Sequence, residues 1–269
     1  MSDDWIAAGW SPTDAAGGFK TFRSTHNDAL ALLMLDRPER RNALTLEMWD
    51  AFPSLLSSLA DVRTLLLTGA AGTFSAGADI GELRSIYGSP EAAAAYHATN
   101  VAAEEALAAF PAPTIAVVRG ACVGGGCQLA VACDLRVAAS DARFGVTPSK
   151  LGVVYPAVPT VRLAGLVGPA RAKYLLFTAD LIGADTALTF GLVDEVVPPA
   201  ALVDRATSLA ATIGSRSRQT IGAVSAVLRA RSSGTSVDDA IAPYLEQARR
   251  EPDVTEGLAA FLDGREPRF

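Results

Sequence analysis

The sequence is poor in the residues that build disulfide frameworks and metal centres, with three cysteines and two histidines in 269 residues. The cysteine number is odd, and Cys122, Cys127 and Cys133 share one apolar stretch. No disulfide framework is therefore expected, and a reducing cytoplasm is the default location. His26 and His97 have no ligand-like spacing, so no metal site is expected. No apolar run reaches the ~18–20 residues that span a membrane. The acidic start, Met1-Ser2-Asp3-Asp4, leads into no hydrophobic region, so no signal peptide is expected either. An excess of positive charge is also lacking: 23 Lys and Arg face 29 Asp and Glu, for a net charge of −6. That balance argues against nucleic acid as the main partner but leaves room for a phosphorylated ligand held by a few local arginines.

What is present is a globular composition, half apolar and 19% charged, in a chain long enough for one large core with a helical appendage. Residues 1–18 show little periodicity and contain Gly9, Pro12, Gly17 and Gly18, which reads as a flexible N-terminal tail. Two strands are expected over 19–24 and 29–35, around a turn at His26-Asn27-Asp28. A helix is expected over 45–60, a buried strand over 64–68, and an Ala-rich helix over 91–110 that Pro111 and Pro113 end. Strand 114–118, a glycine loop at 120–126, a short helix at 127–133 and strand 135–139 continue an α/β layer of parallel strands. From 157 onward the pattern is helical apart from a strand at 192–197. Ser236 and Asp239 form a capping-box-like start to a helix reaching 250, and a last helix covers 254–262. The organisation expected is a tail at 1–18, an α/β core at 19–200 and a helical C-terminal region at 201–269.

Two loops have the composition of ligand sites. Gly120-Ala-Cys-Val-Gly124-Gly125-Gly126-Cys127 stands between a strand and a helix and leaves its backbone bare. The first amides of a helix lack internal partners and suit a phosphate or a developing oxyanion. A glycine run is equally consistent with tight strand–helix packing. Phosphate motifs fail: no Gly-Lys-Ser/Thr closes the loop, the spacing is not Gly-x-Gly-x-x-Gly, and Asp134 comes too soon for a ribose-binding acid. Phe74-Ser75-Ala76-Gly77-Ala78-Asp79-Ile80 is a second loop of small residues after a strand. Two such loops on neighbouring strands can each give one N–H to the same oxygen.

Phe74-Ser-Ala-Gly-Ala-Asp-Ile80, then Gly124-Gly-Gly-Cys127 and Ala132-Cys-Asp-Leu-Arg-Val-Ala138, resembles the enoyl-CoA hydratase/isomerase (crotonase) family. Arg37-Pro38 with Asn42-Ala43-Leu44, Gly191-Leu-Val-Asp194 and Phe261-Leu-Asp-Gly-Arg265 extend the likeness over residues 19–269. The resemblance implies an α/β crotonase-like (ββα) spiral core with a helical C-terminal trimerisation region, assembled as a homo-trimer or hexamer. It implies an enzyme acting on an acyl-CoA, in which coenzyme A enters as part of the substrate and no separate cofactor is needed. The N–H groups of Ala78 and Gly125 would form an oxyanion hole for the thioester. Arg40, Arg41, Ala76, Asp79 and Ile80 would border the coenzyme A, and Arg265 would approach it from the same or a neighbouring subunit. Gly81 stands where the family usually has lysine.

The resemblance also implies catalytic glutamates where this chain has Gln128 and Ser149, and neither can act as a carboxylate base. A usual Pro-Gly-Ala-Gly-Gly stretch is replaced by Tyr155-Pro-Ala-Val-Pro159. Candidates for a substitute acid or base are Tyr155, which could equally only shape the pocket, and His97, Glu104 and Glu105 on the Ala-rich helix. His26 is expected to be solvated. Two classes of function follow: an enzyme stabilising a thioester enolate in a reaction other than standard enoyl-CoA hydration, or a catalytically weak acyl-CoA-binding protein.

Overall fold

The apolar residues of the central strands alternate between two cores. In strand 30–35, Leu30, Leu32 and Met34 face one side, and Ala31, Leu33 and Leu35 the other. A strand with both faces buried belongs in the middle of a sheet covered on both sides. The computed structural model describes residues 2–27, 29–250 and 252–269. Asp28, in the turn expected before strand 30–35, lies outside the described residues.

The first half contains α1 (Ser2–Ala7), β1 (Trp10–Ala16), β2 (Phe19–Ser24), β3 (Leu30–Leu35), α2 (Leu46–Ser58), β4 (Thr64–Gly69), α3 (Ile80–Ile86), α4 (Pro90–Ala108) and β5 (Thr114–Val118). There follow β6 (Ala121–Val123), α5 (Gly125–Ala132), β7 (Leu135–Ala139), β8 (Arg143–Gly145), α6 (Pro148–Leu151), α7 (Ala157–Val167), α8 (Pro169–Thr178), β9 (Ile182–Gly183), α9 (Ala184–Phe190) and β10 (Glu195–Val197). The chain closes with α10 (Leu202–Gly214), α11 (Arg218–Ser233), α12 (Val237–Ala248) and α13 (Asp253–Asp263). Among the described residues, a seven-stranded sheet has the order β1-β2-β3-β4-β5-β7-β10. The pairings β1–β2 and β2–β3 are antiparallel, and those from β3 to β10 are parallel. A small second sheet, β6-β8-β9, stands apart from it.

Four expectations are corrected. Residues 2–16 are not a loose tail but a helix and an edge strand. Trp5 and Trp10 are buried edge to face with ring centres 5.6 Å apart, and the Trp10 indole donates to Thr207 Oγ1 of α10 at 3.1 Å. The six residues of β1 after Trp10 are exposed, so no alternation marks them as a strand. The boundary at 200 is also displaced. Leu202, Ala206 and Ala210, one turn apart on α10, join Leu30, Leu32, Ile115 and Val137 in the core beneath the sheet. α10 thus belongs to the core, and the appendage is α11–α13. Finally, the glycine loop holds strand β6, which pairs in parallel with β8, and the strand expected at 192–197 shortens to β10.

Candidate active site

The loops after β4 and β5 lie beyond the carboxyl ends of neighbouring parallel strands, where α/β sheets open a crevice. The first loop is held from within by Asn42, which is fully buried. Its side-chain amide donates to the carbonyls of Ala70 at 3.0 Å and Thr73 at 2.6 Å. Its own backbone carbonyl accepts the Ser75 hydroxyl at 2.7 Å, and Ser75 Oγ accepts the Gly77 N–H at 3.1 Å. The second loop is laced to the first by Ser75 N–H to Ala121 O at 2.8 Å and Val123 N–H to Ser75 O at 3.0 Å.

This lacing brings the glycines together. At Gly77, with φ +97°, an added Cβ would lie 2.7 Å from Val123 O and 3.3 Å from Gly125 N, so only glycine fits. Gly124 has φ +52° and ψ −117°, a backbone state that L side chains avoid. It starts α5 with the chain turned so that Gly125 is the first helical residue. Leu44 pairs with both neighbours of Ala78, donating to Gly77 O at 2.8 Å and accepting from Asp79 N–H at 2.9 Å. The Ala78 and Gly125 N–H groups themselves have no protein acceptor among the described residues. Both border one cavity of about 110 Å³ between α3, α4, α5 and α6. Two uncommitted donors, one at a helix N-terminus, suit an oxygen that gains negative charge.

The inner wall of the cavity is polar and neutral. Gln128 is buried one turn into α5 from Gly125, and its amide donates to Asn100 Oδ1 at 2.6 Å and Glu104 Oε2 at 2.8 Å. Glu104 is fully buried behind Gln128, where it also pairs with Arg162 of α7. Glu105 turns outward to the same guanidinium at 2.7 Å. Both carboxylates are thus engaged, and neither borders the cavity.

Three phenols border the cavity: Tyr87, Tyr96 and Tyr155. Burial pushes Tyr155 well above the usual phenol range, with the nearby Cys127 adding to the rise. Burial, opposed in part by the Trp49 indole, pushes Tyr96 up to about 12. Burial alone raises Tyr87. His97 also borders the cavity, and its Nε2 is 2.7 Å from the Tyr87 hydroxyl.

Of the residues singled out in the sequence, Ala76, Ala78, Ile80, Gly125, Gln128 and Tyr155 meet at this cavity. Ser149 does not. It is exposed outside the lining, and its neighbours Thr147, Pro148 and Leu151 supply that wall. Asp79 turns away from the cavity. It caps α3 through the Gly81 N–H at 3.1 Å and pairs with Arg37 at 3.1 Å. Burial raises its carboxyl, but the Arg37 and Gly81 hydrogen bonds outweigh that and leave it below the usual carboxylate range. Arg40 and Arg41 are exposed on the turn before β-bridge residue Leu44, with the Arg41 carbonyl accepting the Ala76 N–H at 2.9 Å. Arg265 sits in the C-terminal appendage, clamped to Glu256 at 2.7 Å. His26 is exposed, as expected.

Sequence reasoning missed Asn100 and the structural part played by Asn42. The signal for Asn100 was a polar stripe, His97, Asn100 and Glu104, at i, i+3 and i+7 on an otherwise Ala-rich helix. Among the described residues no group of three or more His, Cys, Asp or Glu side chains is placed to hold a metal ion, and no helix is long and apolar enough to cross a membrane.

Comparison with known proteins agrees with this architecture. The profile of the family described as enoyl-CoA hydratase/isomerase matches residues 25–269. A crotonyl-CoA hydratase of Syntrophomonas wolfei is 36% identical over 250 residues, covering 90% of this chain and 95% of its own. A probable enoyl-CoA hydratase of Mycobacterium bovis is 35% identical over 256 residues, covering 93% and 98%. Among solved structures, a putative enoyl-CoA hydratase/isomerase family protein from Hyphomonas neptunium superposes with a TM-score of 0.85 at 37% identity, over 97% of each chain. An enoyl-CoA hydratase/carnithine racemase from Magnetospirillum magneticum gives 0.89 at 30% identity, again over 97% of each. The sheet, the helical C-terminal region and the paired loops are those of a crotonase-like fold, and the chain belongs to the enoyl-CoA hydratase/isomerase family of enzymes.

Proposed function

We propose that this protein binds an acyl-CoA thioester with the carbonyl oxygen between the Ala78 and Gly125 amides, and that it stabilises the enolate formed there in a reaction other than standard enoyl-CoA hydration. The observation that carries this reading is the pair of uncommitted N–H groups facing one cavity. An enolate puts charge on the thioester oxygen, so donors fixed in advance favour it over the neutral carbonyl. In this reading coenzyme A arrives as part of the substrate, and no separate cofactor takes part. Ala76 and Ile80 border its entry, with Arg40 and Arg41 on the adjoining surface. The appendage closes a homo-trimer or hexamer, and the protein acts in the cytoplasm.

Hydration is set aside because adding water needs a base for the water and an acid for the α-carbon. Gln128 is neutral, with its amide hydrogens given to Asn100 and Glu104, and Ser149 is outside the cavity. The neutral inner wall also favours a second reading, an acyl-CoA-binding protein with little chemistry. A panel of acyl-CoAs, crotonyl-CoA included, separates these. Calorimetry should detect binding, and mass spectrometry should detect turnover of some member. Turnover of crotonyl-CoA is expected to fall well below the ~10 s⁻¹ of an ordinary enzyme. A kcat at or above that value overturns the exclusion of hydration, binding without any product supports the second reading, and no binding removes both.

A further inference from the structure

We infer that His97, oriented by Tyr87, is the proton-transfer residue of this cavity and takes the α-proton of the bound thioester. The inference rests on the acyl-CoA reading above and adds the acid and base it leaves open. The ionisable side chains around the cavity eliminate themselves by geometry. Asp79 is spent on Arg37 and the start of α3. Glu104 and Glu105 share Arg162, outside the lining. Gln128 and Asn100 are neutral amides bonded to each other. The three lining phenols are raised by burial, so each holds its proton more tightly than a free phenol. His97 is the remaining titratable lining residue among those described, and imidazole is the side chain that ordinarily exchanges a proton near neutral pH.

The placement of His97 is also specific. It lies on the face of α4 that carries Asn100 and Glu104, so it is about one helical turn from the Asn100–Gln128 contact. Gln128 is itself one turn from the Gly125 amide. The Tyr87 hydroxyl, 2.7 Å from Nε2, fixes the ring. In the tautomer where Nε2–H donates to Tyr87, Nδ1 keeps its lone pair and can act as a base. The α-carbon–hydrogen bond then breaks, the proton passes to Nδ1, and the electron pair moves onto the thioester oxygen held by Ala78 and Gly125. Return of a proton from Nδ1 to the α-carbon reverses the step, so no co-reactant is consumed.

Exchange of the α-hydrogen in heavy water reads this step directly. Butyryl-CoA incubated with the wild type in deuterium oxide should gain deuterium at the α-carbon, followed by mass spectrometry, with affinity measured separately by calorimetry. His97→Ala should lose exchange by about 10²–10⁴-fold, keep its affinity within about threefold, and recover part of the exchange on addition of free imidazole. His97→Gln guards against a folding defect and should show the same loss. Tyr87→Phe should lose about tenfold, since it frees the ring without removing the base, whereas His26→Gln, outside the cavity, should exchange as the wild type does. Exchange retained in both His97 variants, or a wild type that binds butyryl-CoA without exchanging it, overturns the assignment to His97 and leaves the acyl-CoA reading standing. A wild type that binds no butyryl-CoA overturns that reading as well.

Discussion

Gly125 has two attributes that a substitution can separate: an uncommitted N–H and a bare Cα. A Cβ there would lie 2.8 Å from Cζ2 of Trp49, so any side chain disturbs that ring. Gly125→Ala carries this disturbance but keeps the donor, whereas Gly125→Pro carries it and loses the donor. Proline at the first helical position is otherwise tolerated. The proline variant should therefore fall below the alanine variant by about 2.7–4 kcal/mol in transition-state stabilisation, read from kcat/KM. If the site only binds, the gap in affinity should be nearer ~1 kcal/mol. Equal behaviour of the two variants would show that the Gly125 amide does not touch the ligand. Gln128 allows a second test. Its amide is 2.8 Å from a carboxylate oxygen of Glu104, so Gln128→Glu would set two carboxylates against each other, and one must hold a proton. A carboxyl with a raised folded-state pKa binds more protons than it does in the unfolded chain, so its penalty shrinks as pH falls. Each tenfold change in proton affinity is worth ~1.4 kcal/mol, so the variant should lose on the order of 2 kcal/mol at pH 7. Much of that loss should be recovered near pH 5. Urea titrations at both values check this, and equal losses at the two would contradict it.

At the scale of elements, β1 and α13 show local sequence features whose meaning comes from distant partners. Trp10 is the buried residue of an otherwise exposed edge strand, and it is tied to α10 by the Thr207 hydrogen bond. Trp10→Ala should destabilise the protein by about 3–5 kcal/mol, as truncation of a buried tryptophan does, measured by chemical denaturation. A change under about 1 kcal/mol would return residues 2–16 to the status of a tail. In α13, the hydrogen bond from Arg265, helped by the Arg268 N–H, lowers the Glu256 carboxyl to about 2, against roughly 4.3 for a free glutamate. Because the folded value is the lower one, the contribution of this clamp is complete above the free value and is lost as pH falls toward about 2. Arg265→Gln should bring the Glu256 midpoint up toward the free value in a carboxyl NMR titration. An unmoved midpoint would mean the pair does not form in solution, leaving Arg265 free for the coenzyme A role the resemblance implies.

At the scale of the whole molecule, the least satisfied surface is on the same helix. Val254, Leu258, Phe261 and Leu262 are 58%, 61%, 84% and 83% exposed, and their spacing puts them along one side of α13. A single chain gives this stripe nothing to pack on, and closed symmetry is the usual way to cover such a face. Light scattering at micromolar concentration should find a trimer or hexamer, and Phe261→Asp with Leu262→Asp should shift it to smaller species. A stable wild-type monomer would overturn this.

The sequence alone determined the central strands, the order of helices and the two small-residue loops, because each rests on neighbours in the chain. Strand β5 is β-branched and apolar between Pro113 and Gly120, and α12 begins where Ser236 accepts the Asp239 N–H. Local chemistry of that kind needs no partner from afar. The two loops could be identified as donors and paired on one oxygen by their chemistry, and the family likeness then named Ala78 and Gly125 as the amides. What only the tertiary structure decided is which side chains face the cavity. Glu104 and Glu105 are adjacent on α4, yet one is buried against Gln128 and the other paired at the surface. Ser149 follows two lining residues and is itself turned out. Trp5 and Trp10 read as a tail until α10, some 200 positions away, supplies the surface they bury against. A side chain's direction depends on the helix phase and on the elements packed around it, and neither is written in the residues beside it.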